Sequence, residues 1–182
     1  MRRTVLVAFF LILVATATAA AQTKPAPAAS GPSPSEVTLR AWNAAYAQLI
    51  EMAEDFPEDK YDYKPKPEVR TFAEQLLHVA GSPYFFIAVC KGEQHGEEDF
   101  SREKYKTKAE VVAALKKAAQ AGADFIREQG DAGLNKPAKL PWESETRNAL
   151  WVWNVGARHA GEHYGQLVVY YRLNGIVPPA SR

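Results

Sequence analysis

His159 and His163 stand four residues apart in the run Arg158-His159-Ala160-Gly161-Glu162-His163. On a helix a separation of four turns the chain through about 400°. The two imidazoles then lie about 40° apart and about 6 Å along the axis, on one face. Rings so placed can converge on one ion at metal–nitrogen distances of about 2.0–2.1 Å. Stepping by threes and fours gives Val152, Val155, Gly156, His159, His163, Gln166, Leu167 and Tyr170, an apolar, core-facing stripe with two histidines set into it. A neutral imidazole on such a face needs both a donor and an acceptor partner. Two hydrogen-bonded core histidines would meet that need, and so would a pair of metal ligands. The glutamate of a His-Glu-x-x-His protease motif is missing from this pair.

His78 is the natural third ligand. Its neighbours at helical spacing are Glu74, Gln75, Gly81 and Ser82, a narrow polar or small face that either lines a site or meets solvent. Glu74 already serves as the third residue of a capping box, so no catalytic role is assigned to it. His95 lies in a charged, glycine-flanked loop, Gln94 to Asp99, and is expected to be solvated. Gln166, three residues after His163, would fix the tautomer of a ligating ring or bond to a neighbouring helix. Glu162 lies about 100° from His163 and turns away from any ion. Tyr164 and Tyr170 would only shape a pocket. No general base is evident, and the catalytic residues remain unassigned. Gly156, Gly161 and Gly165 each cost about 1 kcal/mol relative to alanine in a helix interior. Close helix approach or room for a ligand would offset that cost.

Four helices must position these residues. Ser33-Pro34-Ser35-Glu36, Thr71-Phe72-Ala73-Glu74 and Thr107-Lys108-Ala109-Glu110 each have the form of a capping box. The first opens a helix with Leu39, Trp42, Tyr46, Leu49, Ile50 and Ala53 on one face, stopping before Pro57. The second carries Phe72, Leu76, Leu77, Ala80 and Phe85, with Pro83 expected to kink it and Gly92 to end it. The third buries Val111, Leu115, Ala118, Gly122, Phe125 and Ile126 and ends at Gly130. The fourth runs from near Thr146 to Asn174, where Asn174-Gly175 and Pro178-Pro179 stop it. No strand pair is expected. Four amphipathic helices predict an all-α four-helix bundle.

The 182 residues carry 22 Lys+Arg against 21 Asp+Glu, which leaves no basic footprint for nucleic acid. One cysteine, Cys90, excludes a disulfide framework and a cysteine-based zinc module, and suits a small buried apolar side chain. Arg2-Arg3, the apolar run Val5–Val14 and the small residues ending at Ala21 have the pattern of a secretory signal peptide. The organisation expected is a signal peptide over 1–21, a flexible Pro/Ala-rich tether over 22–32 and a bundle over 33–182. The mature protein would be periplasmic or secreted, with no stable membrane span. Trp151 and Trp153 point to different faces of the last helix, so one is exposed or lies in an interface, which allows a homodimer.

The run FPEDKYDYKPKPEVRTFAEQLLHVAGSPYFF (residues 56–86) resembles the first half of DinB-like (DinB/YfiT) proteins, and RHAGEHYGQLVVYYRLNGIVPPASR (158–182) resembles their last helix and tail. The resemblance implies an up-down-down-up bundle with a divalent metal held by three histidines, here His78, His159 and His163. All-imidazole ligation suits zinc, nickel, copper or iron, with zinc or nickel foremost. Family members with known activity include thiol-dependent transferases and a maleylpyruvate isomerase. Export argues against thiol transfer, because low-molecular-weight thiols are chiefly cytoplasmic. The expectation is an exported metal-dependent hydrolase or transferase acting on a small-molecule substrate. Its alternative is a bundle that binds metal or a small ligand without turnover.

Overall fold

The computed structural model describes residues 31–96 and 98–182. The expected signal peptide and most of the expected tether fall outside the described residues. Four helices dominate: α1 (Pro34–Asp55), α2 (Phe72–Lys91), α3 (Lys108–Leu134) and α4 (Ala149–Leu173). All three capping boxes form. Ser33, Thr71 and Thr107 each accept the backbone N–H three residues on, and Glu36, Glu74 and Glu110 reach back to the cap. No described helix is long and apolar enough to cross a membrane.

The helix directions follow from contacts at their ends. Trp42 meets Trp153 near the starts of α1 and α4, and the Tyr171 hydroxyl donates to the Met52 carbonyl near their ends, so these helices are parallel. Ser35 N–H donates to Asp131 at the far end of α3, and Lys108 at its start donates to the Phe56 carbonyl, so α3 runs antiparallel to α1. Phe72 packs by Tyr171 and Phe86 by Gly156, which makes α2 antiparallel to α4. The order is therefore up-down-down-up. Both α1 and α2 sit between α3 and α4. Because α2 and α3 run the same way, residues 92–107 must travel the length of the bundle to join them.

Most of the core forms where periodicity places it: Trp42, Tyr46, Leu49, Leu76, Leu77, Leu115, Ile126, Val152 and Leu167 are buried, whereas Leu39, Ile50, Phe85 and Phe125 are only partly so. Trp42 is its hub. The indole N–H donates to the Ala119 carbonyl at 2.9 Å, and the ring lies against Gly122 of α3 and Gly156 of α4.

Some boundaries differ from those the sequence suggests. At Gly130 (φ 54°, ψ −172°) the chain leaves helical geometry, yet a further turn carries α3 on to Leu134. Arg147-Asn148 pairs antiparallel with Pro137-Ala138, a bridge too short to give an alternating pattern. That pairing delays α4, and Asn148 becomes its N-cap. α2, by contrast, runs through Pro83 to the expected stop at Gly92. The carbonyl that the proline leaves without an N–H partner, that of Val79, receives the Tyr46 hydroxyl at a long 3.4 Å. Burial pushes the half-buried Cys90 thiol up to about 12, so it is inert.

The three glycines of α4 divide. A Cβ at Gly156 would lie 3.1 Å from Phe86 and Trp42, so close packing explains it. Gly161 and Gly165 face open space, and neither packing nor ligand room accounts for them. Gly122→Ala, whose Cβ would overlap the Trp42 ring, should cost about 1–3 kcal/mol. Gly161→Ala should instead add about 0.5–1 kcal/mol. Denaturant unfolding of the two variants measures both.

Candidate metal centre

His78 projects from α2, and His159 and His163 project from successive turns of α4. The antiparallel packing of these helices brings the three rings into one seam. Their candidate ligand nitrogens all lie within 4.8 Å of one another. His159 Nε2 is 3.2 Å from His78 Nε2 and 3.1 Å from His163 Nε2. His163 is buried and the other two rings are half-buried.

A polar file across the seam fixes one tautomer. The Gln75 amide nitrogen donates to Gln166 Oε1 at 2.8 Å, leaving its oxygen 2.8 Å from His163 Nδ1. That oxygen accepts, so Nδ1 carries the proton of His163 and Nε2 presents a lone pair to the other rings. Gln166 therefore acts one step removed: it orients Gln75, and Gln75 orients the histidine. The signal for Gln75 lay in its place one turn before His78 on the same face.

With His163 fixed, no assignment of neutral tautomers gives each of the two Nε2–Nε2 contacts a proton of its own. A proton on His159 Nε2 serves His163 and removes the lone pair that a donor on His78 would need. A proton on His159 Nδ1 leaves two lone pairs opposed at 3.1 Å, and that Nδ1 is buried without a hydrogen-bond partner. Protonation of the rings is opposed by their surroundings. Burial first, then Arg70 and His159, push His78 down to about 4. Burial, His159, His78 and Arg70 push His163 down to about 3. Burial also lowers His159, against the pull of Glu162.

Three convergent lone pairs suit a cation. Two nitrogens bound at about 2.0–2.1 Å with angles of about 90–110° lie about 2.9–3.4 Å apart, and both contacts fall in that range. The donor set therefore fits a divalent metal.

Two cavities flank the triad, and His78 and Phe100 line both. One, of about 860 Å³, is polar and includes Lys64, Arg70, Gln75 and Gln166. The other, of about 440 Å³, is bounded by Phe85, Phe86, Trp142, His95 and His159. Phe100 comes from the long α2–α3 connection and lies over Gly81, stacked between Tyr84 and Tyr105. Trp142 stacks on Phe85 with centroids 5.6 Å apart. Neither Phe100 nor Trp142 sits in a periodic segment, so helical spacing gave no signal for either. His95 is exposed, with its ring edge-on to Phe85. Glu162 is exposed and pairs with Arg158 at 2.9 Å. Glu74 is engaged by the Thr71 N–H. The Tyr170 hydroxyl donates to the Arg70 carbonyl. Trp153 is buried, whereas Trp151 is exposed and donates to Glu143.

Comparison with known proteins places the chain and its fold among relatives. The family model of the DinB superfamily matches residues 41–167. A solved DinB-like protein from Bacillus cereus ATCC 10987 superposes with a TM-score of 0.66 at 14% identity, covering 78% of this chain and 93% of that one. A second, from Bacillus subtilis, gives 0.60 at 19% identity, covering 76% and 92%. No curated protein matches the chain.

An imidazole whose pKa is lowered by folding binds fewer protons in the folded than in the unfolded chain, between the lowered value and the ordinary 6.5. Stability of the metal-free protein should therefore fall as pH drops from about 6.5 to 5 and change little above. Thermal unfolding across that range tests this, and the slope should shrink in His163→Gln. By NMR, the rings of His78 and His163 should remain neutral at a pH of about 5.5.

Proposed function

The chain belongs to the DinB superfamily, and from that premise we propose that it is a metal-dependent hydrolase or transferase whose ion is held by His78, His159 and His163. The observation that carries the reading is the meeting of three Nε2 atoms for which neutral tautomers offer no complete hydrogen bonding. When bound, a divalent ion with three imidazole ligands supplies Lewis acidity at the position its protein ligands leave open.

The protein's own residues do the rest. Gln75 holds the His163 proton on Nδ1 and so keeps Nε2 free to ligate. Gln166 keeps the Gln75 oxygen turned toward the ring. Phe86 packs edge-on to His159 and walls that side of the ring. Arg70 lies in the wall of the polar cavity and sets a positive field at the rings. No carboxylate joins the triad, since Glu162 and Glu74 are engaged elsewhere. The imidazole set suits zinc or nickel. In this reading residues 1–21 direct export and the bundle works outside the cytoplasm.

Elemental analysis of untagged protein should find one divalent ion per chain. His78→Ala should lose it, and should lose the rise in melting temperature that added zinc or nickel gives the parent. Gln75→Leu should bind the metal about 10–100-fold more weakly. A parent protein that takes up no metal, or a His78→Ala variant that holds it equally well, would overturn the reading. Turnover is then tested on the metal-loaded protein with ester, amide and thiol-adduct substrates.

A further inference from the structure

The two cavities on either side of the triad differ in chemistry, and the difference is directional. The polar cavity holds Lys64 and Arg70 together with Glu68 and Glu74. These charges are not equivalent. The Glu74 carboxylate is committed to the Thr71 N–H at the start of α2, where the helix dipole already favours a negative charge. Arg70 forms no ion pair among the described residues, and its side chain donates no hydrogen bond there. The cavity therefore presents an uncommitted guanidinium, the group best suited to a planar or tetrahedral oxyanion.

On the other side of His78 the walls are aromatic. Trp142 is 64% exposed, stacks on Phe85 and lines the cavity. Such exposure of a large aromatic is what a stacking ligand would cover. Glu98 lies in the same lining and would repel an anion there. Arg70 and Lys64 outweigh the single uncommitted carboxylate of Glu68 on one side, and Glu98 stands on the other, which favours one orientation.

We propose that the groove takes a small amphiphilic substrate, with a carboxylate or phosphate at Arg70, an aryl or similarly flat apolar body against Trp142 and Phe85, and the portion between them over His78. This deepens the functional reading above by naming the substrate class, and it rests on that reading only for the chemistry done over His78. Binding itself needs no metal, so it is measured on metal-free protein while metal uptake is assayed separately.

The probes are hydrocinnamate, phenethyl phosphate, hydrocinnamyl alcohol and acetate, titrated by calorimetry and ligand-observed NMR. At least one of the two aryl anions should bind about tenfold or more tighter than the aryl alcohol, and acetate should bind weakly. The stronger aryl anion identifies which oxyanion the site prefers. Arg70→Gln should erase most of the gap between anion and alcohol. Trp142→Ala should weaken the aryl anions and the alcohol alike and leave the gap in place. Both side chains are exposed, so the fold should tolerate either change. An alcohol that binds as well as both anions, or a gap that survives Arg70→Gln, would overturn the proposal. A protein that holds metal but fails this test would lose only the substrate class. One that passes it without taking up metal would lose only the metal reading.

Discussion

Three neutral imidazoles set between two antiparallel helices, one buried and two half-buried, constrain everything around them. Each ring brings one N–H and one lone pair out of water, and each must be answered or it destabilises the fold. The seam answers His163 with Gln75, and answers Gln75 with Gln166. It does not answer the meeting of the three Nε2 atoms, nor the buried Nδ1 of His159. A fold that keeps such groups inside carries a cost that the apolar core must cover. The hub around Trp42 and the aromatic cluster of Phe56, Phe72 and Tyr171 at the other end of the bundle supply that cover, above and below the seam.

The topology that closes the seam also builds the walls of the site. With α2 and α3 parallel, their connection cannot be a tight turn. It crosses the bundle and lays Phe100 over Gly81, where a Cβ would come within 3.2 Å of the ring. The segment between α3 and α4 delivers Trp142 onto Phe85 in the same way. The helices thus supply the imidazoles and their amide partners, and the two connections supply the surfaces that give the groove its apolar side. Substitutions in the connections should change what the groove accepts with little effect on the seam.

Features decided within one turn of chain were legible in the sequence. Capping boxes, the Gly92 stop and the pairing of His159 with His163 on one face depend only on local spacing. His78 was legible because its neighbours make a polar strip on an otherwise apolar helix. Features decided by the rotation of one helix against another were not. Gln75 and Gln166 each stand three residues from a histidine, and only the packing of α2 on α4 decides that Gln75 touches a ring. The spacing of Gly161 and Gly165 suggests close approach or room for a ligand, but they face open space. The start of α4 shifted because Arg147 and Asn148 found a partner strand in Pro137 and Ala138, a non-local pairing that no periodicity announces.

The charge balance of the seam decides what kind of site it is. Carboxylate ligands would neutralise part of an ion's charge and would bind it more tightly. Here the ligands are neutral, and the formal charge felt by all three rings is that of Arg70, of the same sign as any metal. That arrangement gives up some affinity for the cation. In return, the charge of a bound ion would reach the groove undiminished, and an anionic group would be favoured beside it. Burial helps in a second way. Because metal ligation competes with protonation, rings whose pKa values are pushed to about 4 and about 3 stay free of protons well below neutrality. The same low basicity would make the rings poor general bases.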